Sequence, residues 1–81
     1  MQIRVKLFAV ASQLAGRNEL IVEVDEDADV AALRQAIIAS CPSLEPLAGK
    51  GLVAVDAKYA RDDVRISPQA EIAIIPPVSG G

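Results

Sequence analysis

Apolar and polar residues alternate from Gln2 to Phe8, with Ile3, Val5 and Leu7 on one side and Gln2, Arg4, Lys6 and Phe8 on the other. A period of two with β-branched residues predicts a half-buried strand. Ala9–Ala15 follows as a short helix, with Val10 and Leu14 spaced i,i+4 as its apolar pair and Gly16 as its stop. Alternation returns at Glu19–Val24, a second strand with Leu20, Val22 and Val24 on one face. From Val30 to Cys41 the period becomes helical: Val30, Leu33, Ala36, Ile37 and Cys41 form one stripe, opposed by Arg34 and Gln35, with Ile38 exposed off it. Pro42 ends this helix. The connector that follows contains a 3₁₀ turn, with Leu44 and Leu47 tucked under the sheet and a turn at Gly49-Lys50-Gly51. Leu52–Asp56, a short strand at Tyr59–Arg61 and Glu71–Ile75 complete the pattern, with turns at Ala57-Lys58 and Ser67–Ala70.

One long helix cannot cover both faces of such a sheet. The expected class is α+β, a mixed sheet with one main helix packed on one face. The last strand is expected centrally, beside the first. If Leu7 and Ile74 face the helix, Phe8 and Ile75 face away from it, with Arg4, Lys6 and Glu71 further along the same surface. That surface is either an apolar docking spot rimmed by charge or a face covered by a loop. Residues 1–75 form one domain, and residues 76–81 form an extended, flexible tail.

Composition removes most chemistry. Eighty-one residues, 52% hydrophobic and only 2% aromatic, predict an aliphatic core. There is no histidine, so the commonest general base and metal ligand is missing. The one cysteine, Cys41, falls on the helix stripe and reads as packing. The acidic run Asp25-Glu26-Asp27 with Asp29 reads as helix capping, because a calcium loop needs a glycine hinge and a distal glutamate. Gly49-Lys50-Gly51 lacks phosphate-loop spacing. No metal site is expected. A net charge of −3 argues against nucleic acid, and no apolar run reaches membrane-spanning length. The expected location is the cytoplasm.

What remains is the ending Pro76-Pro77-Val78-Ser79-Gly80-Gly81. Taken alone it could be a frayed terminus. Proline lacks an N–H and fixes φ, which stops a strand and keeps the chain extended. Six residues reach roughly 20 Å at about 3.3–3.6 Å each. Gly80 and Gly81 carry no side chains, so a narrow channel could accept them.

These features together resemble one family. The opening Ile3-Arg4-Val5-Lys6-Leu7-Phe8-Ala9, the helix segment Val30-Ala31-Ala32-Leu33-Arg34, the strand Val53-Ala54-Val55-Asp56 and the Pro-Pro-Val-x-Gly-Gly ending resemble the MoaD-type small subunits of molybdopterin synthase. These are ubiquitin-like β-grasp sulfur carriers. Two departures stand out: Pro68-Gln69-Ala70 replaces a common Gly-Asp turn, and Ile75 replaces an aromatic before the diproline.

The resemblance implies that a MoeB-like, E1-type enzyme uses ATP to adenylate the Gly81 carboxylate, which sulfur then converts to a thiocarboxylate. Gly80 would accompany it into the channel of a MoaE-like large subunit, with Phe8, Ile75, Pro76, Pro77, Val78 and Ser79 in contact with the partner. Sulfur would pass there to cyclic pyranopterin monophosphate, two carriers supplying the dithiolene of molybdopterin in a heterotetramer of two small and two large subunits. The chain itself would bind no permanent cofactor and would not be an enzyme alone. Thiazole synthesis of the ThiS type, tRNA thiolation, protein conjugation, or an interaction module without carrier chemistry are the alternatives.

Overall fold

The structure, a computed structural model, describes residues 1–49 and 51–75, and only the backbone of Leu52. The elements run β1 (Gln2–Leu7), α1 (Ala9–Ala15), β2 (Glu19–Glu23), α2 (Val30–Ser40), a 3₁₀ turn (Pro42–Leu44), α3 (Glu45–Ala48), β3 (Leu52–Val55), β4 (Lys58–Ala60) and β5 (Ile72–Ile75). The five strands form one mixed sheet in the order β2-β1-β5-β3-β4. β1 pairs parallel with β5; the other three pairings are antiparallel. The last strand is central and beside the first, as expected.

α2 packs on one face. Ile3, Val5, Val30, Leu33, Ile37, Leu44, Val53, Ile72 and Ile74 have no exposed surface, and none of the described buried residues is polar or charged. Burying a Val, Leu or Ile side chain contributes about 1.5–3 kcal/mol, so this aliphatic layer drives closure of the sheet on the helix. Both aromatics lie outside it: Phe8 is 51% and Tyr59 70% exposed.

The start of α2 is fully satisfied. The first amides of a helix have no intrahelical partner. Asp29 accepts from Ala32 N through Oδ1 at 2.9 Å, as its position predicts. The carbonyls of Val64 and Asp62 take the amides of Val30 and Ala31, each at 3.0 Å. The segment around 61–66 therefore wraps the helix start and buries Ile66.

Several local expectations move. In α1 the apolar pair Val10 and Leu14 points outward, while Ala11 is buried and Ala15 packs against the core. The buried i,i+4 pair lies one position round the helix, because two alanines let α1 lie close. Ile38 is partly buried against the core rather than exposed, because the connector after Pro42 packs on α2 and widens its covered face. Arg34 is not on a solvated face; its guanidinium is bonded to main chain, as described below. The hairpin turn sits at Asp56-Ala57, one residue earlier than the spacing suggests, with φ of 52° and 69°. Two central residues with positive φ match the twist of a two-residue hairpin. The expected Gly49-Lys50-Gly51 turn includes Lys50, which lies outside the described residues.

Candidate functional site

Among the described residues, no helix covers the face of the sheet opposite α2. Strand register places Glu19, Lys6, Ala73, Ala54 and Tyr59 in one row across β2, β1, β5, β3 and β4. Small residues occupy the middle of that row. The result is a shallow depression with Ala54 and Ala73 as its floor and Phe8, Ile75, Ala57 and Tyr59 around it.

Phe8 reaches this face because its backbone stays extended, φ −119° and ψ 153°, one residue beyond β1. Alternation thus continues past Leu7, which is buried opposite Ile74. Ala9, with φ 48°, then turns the chain into α1. Among the described residues no loop covers Phe8, which is 51% exposed. Phe8 and Ile75 share the depression, as parity predicts.

Charge rims it. Lys6 Nζ lies 3.4 Å from Glu71 Oε1, and Arg4 Nε lies 3.4 Å from Glu19 Oε2. Exposed pairs of this kind contribute about 0–1 kcal/mol to stability, so their effect is on which surfaces can approach. Ile21, 52% exposed, lies beyond this rim on β2, opposite Arg4.

β5 carries the depression to the tail. Its start is held by Asp56, whose carboxylate accepts from Glu71 N at 2.9 Å while Asp56 N donates to Glu71 O at 2.8 Å. Its end is Ile75, the last described residue. The expected site residues Pro76, Pro77, Val78, Ser79, Gly80 and Gly81 lie outside the described residues.

Elsewhere the chemistry is sparse. Among the described residues no group of three or more Cys, Asp or Glu is arranged to hold a metal ion. Cys41 is half-buried, its Sγ 3.3 Å from Ser43 Oγ, which donates to the Leu14 carbonyl at 3.0 Å. That contact joins α1 to the connector. No described helix is long and apolar enough to cross a membrane.

Tyr59 was not marked by the sequence as part of this surface. Its place depends on the β3–β4 register, which sets it opposite Ala54.

Comparisons with known proteins agree with this architecture. A profile of the ThiS family matches residues 5–81, including the tail. The chain is 35% identical over 83 residues to a molybdopterin synthase sulfur carrier subunit of Caenorhabditis elegans, covering 100% of this chain and 99% of that one. The crystal structure of SAMP1 from Haloferax volcanii superposes with a TM-score of 0.86 at 30% identity, covering all of both chains. Subunits 1 and 2 of molybdopterin-converting factor from Helicobacter pylori, solved as a protein–protein complex, include a chain similar at a TM-score of 0.67 and 20% identity, again over all of both chains. These neighbours share the ubiquitin-like β-grasp fold.

Proposed function

The chain belongs to the ThiS family and, within it, to the molybdopterin synthase sulfur carrier subunits, and we propose that its reacting group is the α-carboxylate of Gly81. The observation that carries this reading is the family match through the Gly-Gly ending on a chain with no histidine and no arranged metal ligands among its described residues. A carboxylate resists nucleophilic attack because it is charged and its leaving group is oxide. Attack of a Gly81 oxygen on the α-phosphate of ATP forms an acyl-adenylate and releases pyrophosphate. A hydrosulfide-level donor then attacks the carbonyl carbon, the C–O bond breaks, and AMP leaves with the electron pair. The product is a thiocarboxylate. No step needs a side chain of the carrier, so acid–base groups come from an E1-type, MoeB-like activating enzyme.

The thiocarboxylate is the sulfur donor to cyclic pyranopterin monophosphate, with the tail inserted in a MoaE-like large subunit. The solved complex of subunits 1 and 2 from Helicobacter pylori supports a partner of that kind. Two small and two large subunits would form the assembly, in the cytoplasm. The depression around Phe8 and Ile75 is suited to seat the body, since aromatic anchors in apolar hollows dominate interface energetics. Phe8→Asp is expected to weaken large-subunit binding about thirtyfold, roughly 2 kcal/mol, without lowering the melting temperature. Titration calorimetry would measure it, and an unchanged affinity would remove Phe8 from the interface.

Charging is tested by mass. Incubation with the activating enzyme, ATP and a sulfide source should add about 16 Da at Gly81, one oxygen replaced by sulfur. No such species, under conditions that charge a control carrier, would sink the reading.

The similarity to SAMP1, a small archaeal modifier protein, favours a second reading. The same acyl-adenylate could be attacked by a lysine amine, giving an isopeptide to another protein. Gly81-linked lysines recovered after charging would identify it.

A further inference from the structure

Arg34 stands on the side of α2 that the hydrophobic pattern marks as polar, yet its side chain is only 14% exposed. Nη1 donates to the carbonyls of Ala48 and Gly51, each at 2.7 Å, and Nε donates to Asp62 Oδ1 at 3.0 Å. One planar fork thus ties the helix to the end of α3, to the residue before β3 and to the segment after β4.

Gly51 is itself wedged. A Cβ built there would lie 2.5 Å from the Leu47 carbonyl oxygen and 2.7 Å from that of Ile75. The next residue, Leu52, is in register with Ile75. The guanidinium therefore grips a peptide that abuts the last described carbonyl of β5. The tail continues directly from that carbonyl.

We propose that Arg34 is a positioning residue for charging of the carrier: through Gly51 it fixes the Ile75 end of β5, the residue from which the chain continues to Gly81. The inference rests on Gly81 being the group that reacts. Reaction within a bound complex depends steeply on placement, since a displacement of about 1 Å can cost roughly a hundredfold in rate. Arg34 makes no hydrogen bond to a residue lining the Phe8 depression, so its loss should act on the productive fraction of the bound complex more than on docking.

The test is a split of kinetic parameters on the full chain, with ATP, sulfide and the activating enzyme, and single-turnover charging followed by mass. Arg34→Met is expected to lower kcat about tenfold and leave KM for the carrier within about twofold. Arg34→Lys, whose single ammonium can bond the two carbonyls but not Asp62 in the same arrangement, should recover part of that loss. Ile37→Val, a core truncation that leaves the contacts of Arg34 with Ala48, Gly51 and Asp62 in place, should leave kcat unchanged. An unchanged kcat in Arg34→Met, or an equal loss in Ile37→Val, would overturn the inference. A second readout needs no charging: amide exchange at the Leu52–Ile75 end of the β3–β5 ladder should be about tenfold faster in Arg34→Met and unchanged in Ile37→Val. Equal exchange in Arg34→Met and wild type overturns the positioning role. A wild-type chain that never acquires sulfur overturns the assignment of Gly81 instead.

Discussion

Deleting Gly81, or adding one residue after it, is expected to abolish thiocarboxylate formation, a loss of at least about a thousandfold, with the melting temperature unchanged. The reasoning is geometric. One residue moves the carboxylate by about 3.3–3.6 Å, which equals the whole separation of about 3–3.5 Å between reacting atoms in a near-attack arrangement. Deletion leaves the reacting end short of the activating enzyme's phosphate; extension replaces glycine with a carboxylate displaced beyond it. Stability should be indifferent, because every buried side chain of the described core lies at or before Ile74. Mass measurement of the charged product and a thermal melt of the same samples check both halves. Substantial charging in either variant contradicts the carboxylate mechanism, and a lowered melting temperature would show that the tail also serves the fold.

Leu33→Ala is expected to cost about 2–5 kcal/mol. Leu33 is fully buried in the middle of α2, facing a sheet whose inner surface is entirely aliphatic. No aromatic ring is at hand to swing into the space, because Phe8 and Tyr59 are both on the outside. A domain of this size is stable by about 5–10 kcal/mol, so the loss removes a large share of it. Denaturant unfolding would register the change as a lower midpoint; a difference below about 1 kcal/mol would mean that the core collapses around the gap. The two variants separate the two parts of the molecule: Gly81 changes chemistry without stability, and Leu33 changes stability without touching the reacting group.

What could be read from the sequence was whatever depends on local period. The alternation of Ile3, Val5 and Leu7, and of Ile72 and Ile74, orients both central strands, and it carries Phe8 and Ile75 to the open face. Asp29 is legible as a cap because capping acts over three residues. The face of α1 was not, because alanines contribute little to a hydrophobic pattern while being the residues that allow close approach. Arg34 was not, because its partners Ala48, Gly51 and Asp62 lie 14 to 28 positions away and two of them are bare carbonyls. Ile66 was not, because it is buried by a segment without regular alternation that wraps the start of α2. The chemistry proposed for the tail rests on its composition and on the family match, and not on the described fold.

The central place of β5 also bears on when the chain can become reactive. β5 is last in sequence among the strands but lies between β1 and β3. During synthesis from the N-terminus, β1 with β2 and β3 with β4 can pair as two separate hairpin-like halves, and no pairing between named strands joins them until Ile72–Ile75 emerges. Closure then requires pairing between residues about seventy positions apart, the slow and entropically costly kind of contact. The strand that completes the sheet is the one that leads into the tail. Under the proposed function, completing the sheet and rooting the segment that leads to Gly81 are therefore the same event.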